Sequence, residues 1–231
     1  MTKKKVAVFD VDGTLFRSSL LIEIVETLIA AGLFPKKARD EFKKEHVLWL
    51  DRKGDYEAYI NAVVKVFMKY IKGVPYDSFM NATEEMLVDK KDRMYRYTRN
   101  LVRELKRRGY FLLAISQSPK GILDKFCLPL GFNKVYGRIY ELGPQNKFTG
   151  KIEEFHMIEN KANIIKRAVE KENLTLKGSV GVGDTESDIS FLELVESPVC
   201  FNPNQKLYRY AKLNKWKIVV ERKDVVYELP V

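Results

Sequence analysis

Cysteine and histidine are scarce in this chain. Cys127 and Cys200, His46 and His156 are the whole complement in 231 residues. Two separated cysteines cannot form a disulfide framework, and neither residue type recurs at metal-ligand spacing. That argues against a disulfide scaffold and against a histidine-based zinc site. A reducing, cytoplasmic setting is the expectation. Long apolar runs are missing as well. The longest, LLIEIVETLIAAGLF from Leu20, holds two glutamates and falls short of the ~20 residues a membrane span needs. The lysines at 3–5 are followed by an apolar run that stops at Asp10, so no secretory leader is expected. Also missing are a P-loop and a dinucleotide fingerprint, because GVGDTE lacks the third glycine.

Hydrophobic residues make up 45% and charged residues 31%, the balance of a globular protein with a sizeable core. Net charge is +10, which permits anionic partners of several kinds. The basic residues are mostly dispersed. In KDRMYRYTRNLVRELKRR, however, Arg93, Arg96, Arg99, Arg103 and Lys106 recur at steps of three and four, with Met94, Tyr97, Leu101 and Leu105 on another face. The segment reads first as an amphipathic helix with a solvated face, and second as a surface for anionic partners.

The order of elements predicts the fold class. KVAVF, YFLLAIS and GSVGVGD are short apolar runs that read as buried strands. Helical patterns such as PKGILDKFCL, NKANIIKRAVEKE, TESDISFLELV and QKLYRYAKLN lie between or after them, and SPVCF and KIVV are further strands. NKVYGRIYEL and KFTGKI read as a strand pair turned around Gly143-Pro144. Strands separated by helices imply an α/β architecture, a Rossmann-like three-layer core with a mostly parallel sheet. Residues 17–90 carry helical periods instead and read as an inserted all-helical domain. The core is then 1–16 and 91–231.

Sites in open α/β sheets lie beyond the carboxyl ends of strands. Asp10, Ser116 and Asp184 each follow a predicted buried strand, in VAVF-D, LLAI-S and VGVG-D. In VFDVDGT a second acid, Asp12, follows closely. In GDTESD, Asp188 lies four residues beyond Asp184, a spacing that puts both carboxylates on one face of a helix's first turn. Clustered carboxylates repel one another, and a hard divalent cation such as Mg²⁺ resolves that with oxygen ligands, waters and a substrate phosphate. A nucleophilic carboxylate, a second acid, a metal and donors such as Ser116 and a lysine suit phosphoryl transfer.

These residues resemble the four motifs of the haloacid dehalogenase superfamily: DVDGT at 10–14, ISQSP around Ser116, Lys161, and GVGDTESD ending at Asp188. The helical insertion after the first motif resembles the C1-type cap of the phosphoserine phosphatase-like branch (subfamily IB). The tail SPVCFNPNQKLYRYAKLNKWKIV is similar to that branch too. The resemblance implies that Asp10 is the nucleophile, and that Asp12 protonates the leaving group and then activates water. It gives Ser116 the phosphoryl oxygens and Lys161 the charge on Asp10, with Lys147 and Lys151 as nearby alternatives. Mg²⁺ would be held by Asp10, Asp12 through its carbonyl, Asp184 and Asp188, with Thr14 supporting the loop. An aspartate at position 12 separates phosphatases from the dehalogenases, which resemble DxxGT. Phosphoserine phosphatases carry a glutamate where this chain has Ser19. Glu23, Arg52 and Gln117 join Ser19 as candidate substrate contacts. The expected activity is hydrolysis of a small phosphate monoester through an aspartyl-phosphate. The same site would serve a phosphotransferase, and a basic binding protein for nucleic acid or anionic surfaces is the alternative of another class. Nucleic acid is not the expected partner.

Overall fold

The computed structural model describes residues 3–153 and 160–230. In chain order the elements are β1 Lys4–Asp10, α1 Leu20–Ala30, α2 Asp40–Leu50, α3 Tyr56–Tyr70, α4 Tyr76–Lys90, α5 Arg96–Arg107, β2 Phe111–Pro119 and α6 Lys120–Cys127. They continue with β3 Lys134–Leu142, β4 Phe148–Glu153, α7 Lys161–Lys171, β5 Leu174–Gly183, α8 Ile189–Leu192, β6 Ser197–Phe201, α9 Gln205–Leu213, β7 Lys217–Arg222 and β8 Val225–Leu229. The chain divides into two compact units: 1–17, 92–138 and 154–231 form one, and 18–91 with 139–153 form the other.

The first unit is built on a sheet in the order β3-β2-β1-β5-β6-β7-β8. Neighbours pair in parallel from β3 to β7, and β8 adds an antiparallel edge. Five consecutive residues of β1, Val6 to Asp10, are buried, which is why the strand reads as a continuous apolar run: a parallel strand covered on both faces has no solvent side. Val6, Val8, Leu113 and Ile115 face the cluster formed by Ile164, Ile165 and Ala168 of α7, Phe191 and Leu192 of α8, and Leu207 and Ala211 of α9. Phe9 points the other way and meets Phe132 edge to face at 5.7 Å. Val102 and Leu105 of α5 and Ile122, Leu123 and Phe126 of α6 are buried too, on helices packed against β2. Each large side chain so buried adds roughly 1.5–3 kcal/mol. The architecture is α/β with a three-layer core, as the element order implies.

The second unit holds α1 to α4 and the pair formed by the end of β3 with β4. Ser19 caps α1 by accepting the amide of Leu21, and Asp55 caps α3 by accepting that of Ala58. Residues 139–153, read from the sequence with the α/β portion, group with these helices for a visible reason. Phe148 exchanges backbone hydrogen bonds with Gly73 and Val74, and its ring packs on Tyr76, Phe79 and Tyr140.

Candidate active site

β1 lies between β2 and β5, and its register with both sets the site. Asp10 pairs with Ile115, so Ser116 is one residue further along β2. Phe9 pairs with Val182, which puts Asp10 level with Gly183 and Asp184 just beyond. Three separate strand ends thus bring Asp10, Ser116 and Asp184 to one edge, the carboxyl edge where α/β sheets bind ligands.

Residues 11–16 fold back tightly on that edge. The carbonyl of Val11 accepts the amides of Thr14, Leu15 and Phe16, and Gly13 donates to Phe16. Gly13 has φ +81°, and a Cβ on it would lie 2.2 Å from Asp184 Oδ2, so only glycine lets the loop pass the carboxylate. Thr14 donates its hydroxyl to Asp184 Oδ1 at 3.3 Å and its carbonyl accepts from Thr98 at 2.9 Å. Asp12 accepts from Ser116 Oγ at 2.5 Å and from Ser118 Oγ at 3.0 Å. Ser116 Oγ in turn accepts the amide of Ser118 at 2.9 Å. Ser118 had no signal of its own in the sequence. It is recognisable only once the strand end is seen to turn its hydroxyl toward Asp12.

Asp184 and Asp188 are close for a different reason than helical spacing. Asp184 follows the last residue of the strand instead of starting a helix, and Thr185 caps a short 3-10 turn at Glu186–Asp188, followed by only four α-helical residues. Asp188 turns back and accepts the amides of Asp184 at 3.0 Å and Thr185 at 3.1 Å through Oδ2. A Cβ on Gly183 would meet that oxygen at 2.6 Å, which accounts for the glycine. The other oxygen of Asp188 accepts from Lys161 Nζ at 2.5 Å, and the same ammonium donates to Asp10 Oδ1 at 2.6 Å. Lys161 is the first residue of α7, placed there by the Asn160 cap, and it is 4% exposed.

The electrostatics follow from this crowding. Burial raises the pKa of Asp10, Lys161 draws it back, and the charges of Asp188 and Asp12 raise it again, so that it is pushed up to about 7. Asp184 is held well above the usual carboxylate range by burial and then by Asp10 and Asp188. For Lys161, burial opposes the charge, but Asp10 and Asp188 outweigh it and raise its pKa. Asp10, Asp184 and Asp188 offer oxygens that all lie within 4.8 Å of one another. Asp10 Oδ2 is buried without a hydrogen-bond partner. One ammonium against three carboxylates, with one oxygen unmatched, is a donor set that fits a hard divalent cation.

Gln117 is exposed and accepts from Arg138 in the first unit. Ser19, Glu23 and Arg52 belong to the second unit: Ser19 is the cap of α1, Glu23 pairs with Lys90, and Arg52 is exposed with φ 58° just after α2. Lys147 and Lys151 also belong to that unit, and Lys161 of the first unit is the lysine that bonds Asp10.

Residues 7–193 match the family described as haloacid dehalogenase-like hydrolase. This chain belongs to that family. Its relatives in that family include phosphatases. It is 24% identical over 224 residues to a phosphoserine phosphatase of Methanocaldococcus jannaschii, covering 96% of this chain and 95% of that one. It is 24% identical over 222 residues to a histidinol-phosphatase of Neisseria meningitidis serogroup C, covering 94% and 98%. A solved structure described as a phospho-aspartyl intermediate analogue of phosphoserine phosphatase superposes with a TM-score of 0.65 at 24% identity, covering 96% of each chain. That likeness shows the fold.

Proposed function

We propose that this phosphoric monoester hydrolase is Mg²⁺-dependent and works through an aspartyl-phosphate on Asp10. The observation that carries the reading is the buried cluster in which Lys161 bonds Asp10 and Asp188 at once, beside Asp184 and an unmatched oxygen of Asp10. Asp10, Asp184 and Asp188 would hold the ion, with the main-chain carbonyl of Asp12. Bound there, it would lower the proton affinity of Asp10 and neutralise charge on a phosphate.

In this reading an oxygen of Asp10 attacks phosphorus and the bond to the leaving alcohol breaks. Asp12, steered by the hydroxyls of Ser116 and Ser118, gives its proton to the departing oxygen. It then takes a proton from the water that cleaves the acyl phosphate, which regenerates Asp10 and releases inorganic phosphate. Ser116 is free to turn its donor to the phosphoryl oxygens when Asp12 is protonated. Lys161 keeps the nucleophile oriented and offsets its charge. In the same reading the helical unit is a cap that selects the substrate.

The relatives' names support a small phosphate monoester. The serine at position 19, where phosphoserine phosphatases resemble one another in carrying glutamate, weighs against phosphoserine itself. Hydrolysis of a panel (an aryl phosphate, phosphoserine, histidinol phosphate, sugar phosphates, nucleotides and lysophosphatidic acid) with Mg²⁺ or EDTA tests the reading. Turnover that needs Mg²⁺ is expected for at least one member. Equal turnover in EDTA would sink the metal's part.

A further inference from the structure

Outside the acidic centre, the first unit carries a cluster of opposite sign. A cavity of about 540 Å³ is lined by Arg99, Arg103, Lys106 and Arg107 of α5 together with Met94, Val102, Pro129 and Leu130. No acidic residue lines it, and none of the ion pairs among the described residues includes any of these four cations. The Nε of Arg99 is buried there without a hydrogen-bond partner. Lys106 runs across Gly131, where an added Cβ would lie 2.8 Å from its Cδ, so the glycine keeps room for the lysine stem between helix and turn.

Positions 99, 103, 106 and 107 form one stripe about 12 Å long on a helix rising 1.5 Å per residue. Four cations held along one wall repel each other, and the three arginines carry guanidinium forks suited to phosphate oxygens. The opposite wall, Pro129 and Leu130, is apolar. The volume is that of a small-molecule site. Nucleic acid fits less well, for two reasons. The lining has no aromatic ring on which a base could stack. The adjoining surface also breaks the basic run, because Glu104 pairs with Arg108 and Glu228 with Lys217, and the Tyr97 ring lies flat on Phe201.

We propose that this cleft binds a small polyphosphate-bearing anion, a phosphate chain against the α5 cations with an apolar or heterocyclic group on the Pro129–Leu130 wall. The site is independent of the Asp10 centre.

Titration calorimetry of the full chain in EDTA isolates it, because the metal-free carboxylate cluster repels anions. The probes are inorganic tripolyphosphate, adenosine triphosphate and a single-stranded RNA. One molecule of triphosphate per chain is expected. Affinity should fall about tenfold or more in Arg103→Glu/Lys106→Glu, the ordinary worth of a charge-assisted contact, and less in the milder Arg103→Ala/Lys106→Ala. Both residues are exposed, and circular dichroism checks the fold of each variant. Lys43→Glu/Lys44→Glu, the same charge change on exposed lysines of α2, should leave the affinity in place. Equal losses in both charge reversals would reduce the effect to net charge and overturn the proposal. So would the absence of triphosphate binding at millimolar concentration, or RNA binding in its stead.

Discussion

Replacing Lys161 by methionine removes the ammonium that two buried carboxylates share. The side chains of Lys161, Asp10 and Asp188 are 5%, 8% and 0% exposed, so water cannot take its place. Breaking a buried ion pair by deleting one partner costs about 3–5 kcal/mol. Asp10 can relieve part of this by taking up a proton, since its pKa is already near 7. At pH 6 that relief is free. Above pH 7 it costs about 1.4 kcal/mol for each pH unit. At 2–4 °C per kcal/mol for a chain of this size, Tm should drop by roughly 10 °C at pH 6, and further at pH 8. Scanning calorimetry in EDTA at both pH values is the assay, with circular dichroism to show that the variant folds. A Tm within about 2 °C of wild type at both, or a smaller deficit at pH 8, would refute the view that Lys161 balances this cluster.

Three further outcomes are expected. Because the pKa of Asp10 is raised, its own contribution to the stability of the metal-free fold is full below the ordinary carboxylate range and is lost as pH climbs through about 7. Mg²⁺ should therefore raise Tm more at pH 8 than at pH 6, and the reverse order in calorimetry would contradict the assignment. Gly13→Ala should cost about 1–2 kcal/mol for its left-handed backbone and raise the Mg²⁺ needed for half-maximal turnover, because its methyl displaces Asp184; an unchanged Mg²⁺ titration would remove that link. Ser118→Ala should lower kcat about tenfold or more with little change in KM, since one charge-assisted bond to Asp12 is lost; an unaltered kcat would show that Ser116 alone steers Asp12.

Much of the fold and part of the site were legible because they rest on burial. The strand segments leading to Asp10, Ser116 and Asp184 are buried, so their apolar runs stand out, and the acid or serine after each run marks the sheet's edge. What was not legible depends on long-range pairing. VVYEL of β8 alternates weakly and is held by its antiparallel partner β7, so KIVV looked like the last strand. The segment 139–153 has strand texture, but its backbone bonds to residues 73–74 assign it to the helical unit. Four-residue spacing suggested that Asp184 and Asp188 share a helix face, whereas a capping box brings them together. On α5 the buried stripe is Thr98, Val102 and Leu105, in register with the buried Met94 before the helix, and Tyr97 and Leu101 beside it are only half-buried.

Covalent chemistry at Asp10 is the central step of the proposed mechanism. The most direct test is to mix the protein and Mg²⁺ with the best substrate of the panel, quench in acid within one turnover, and weigh the peptide containing residues 10–14 by mass spectrometry. One added phosphoryl group is expected, localised to Asp10, absent in EDTA and absent together with turnover in Asp10→Asn. Steady hydrolysis with no phosphoryl group on that peptide, or turnover that survives Asp10→Asn, would contradict it.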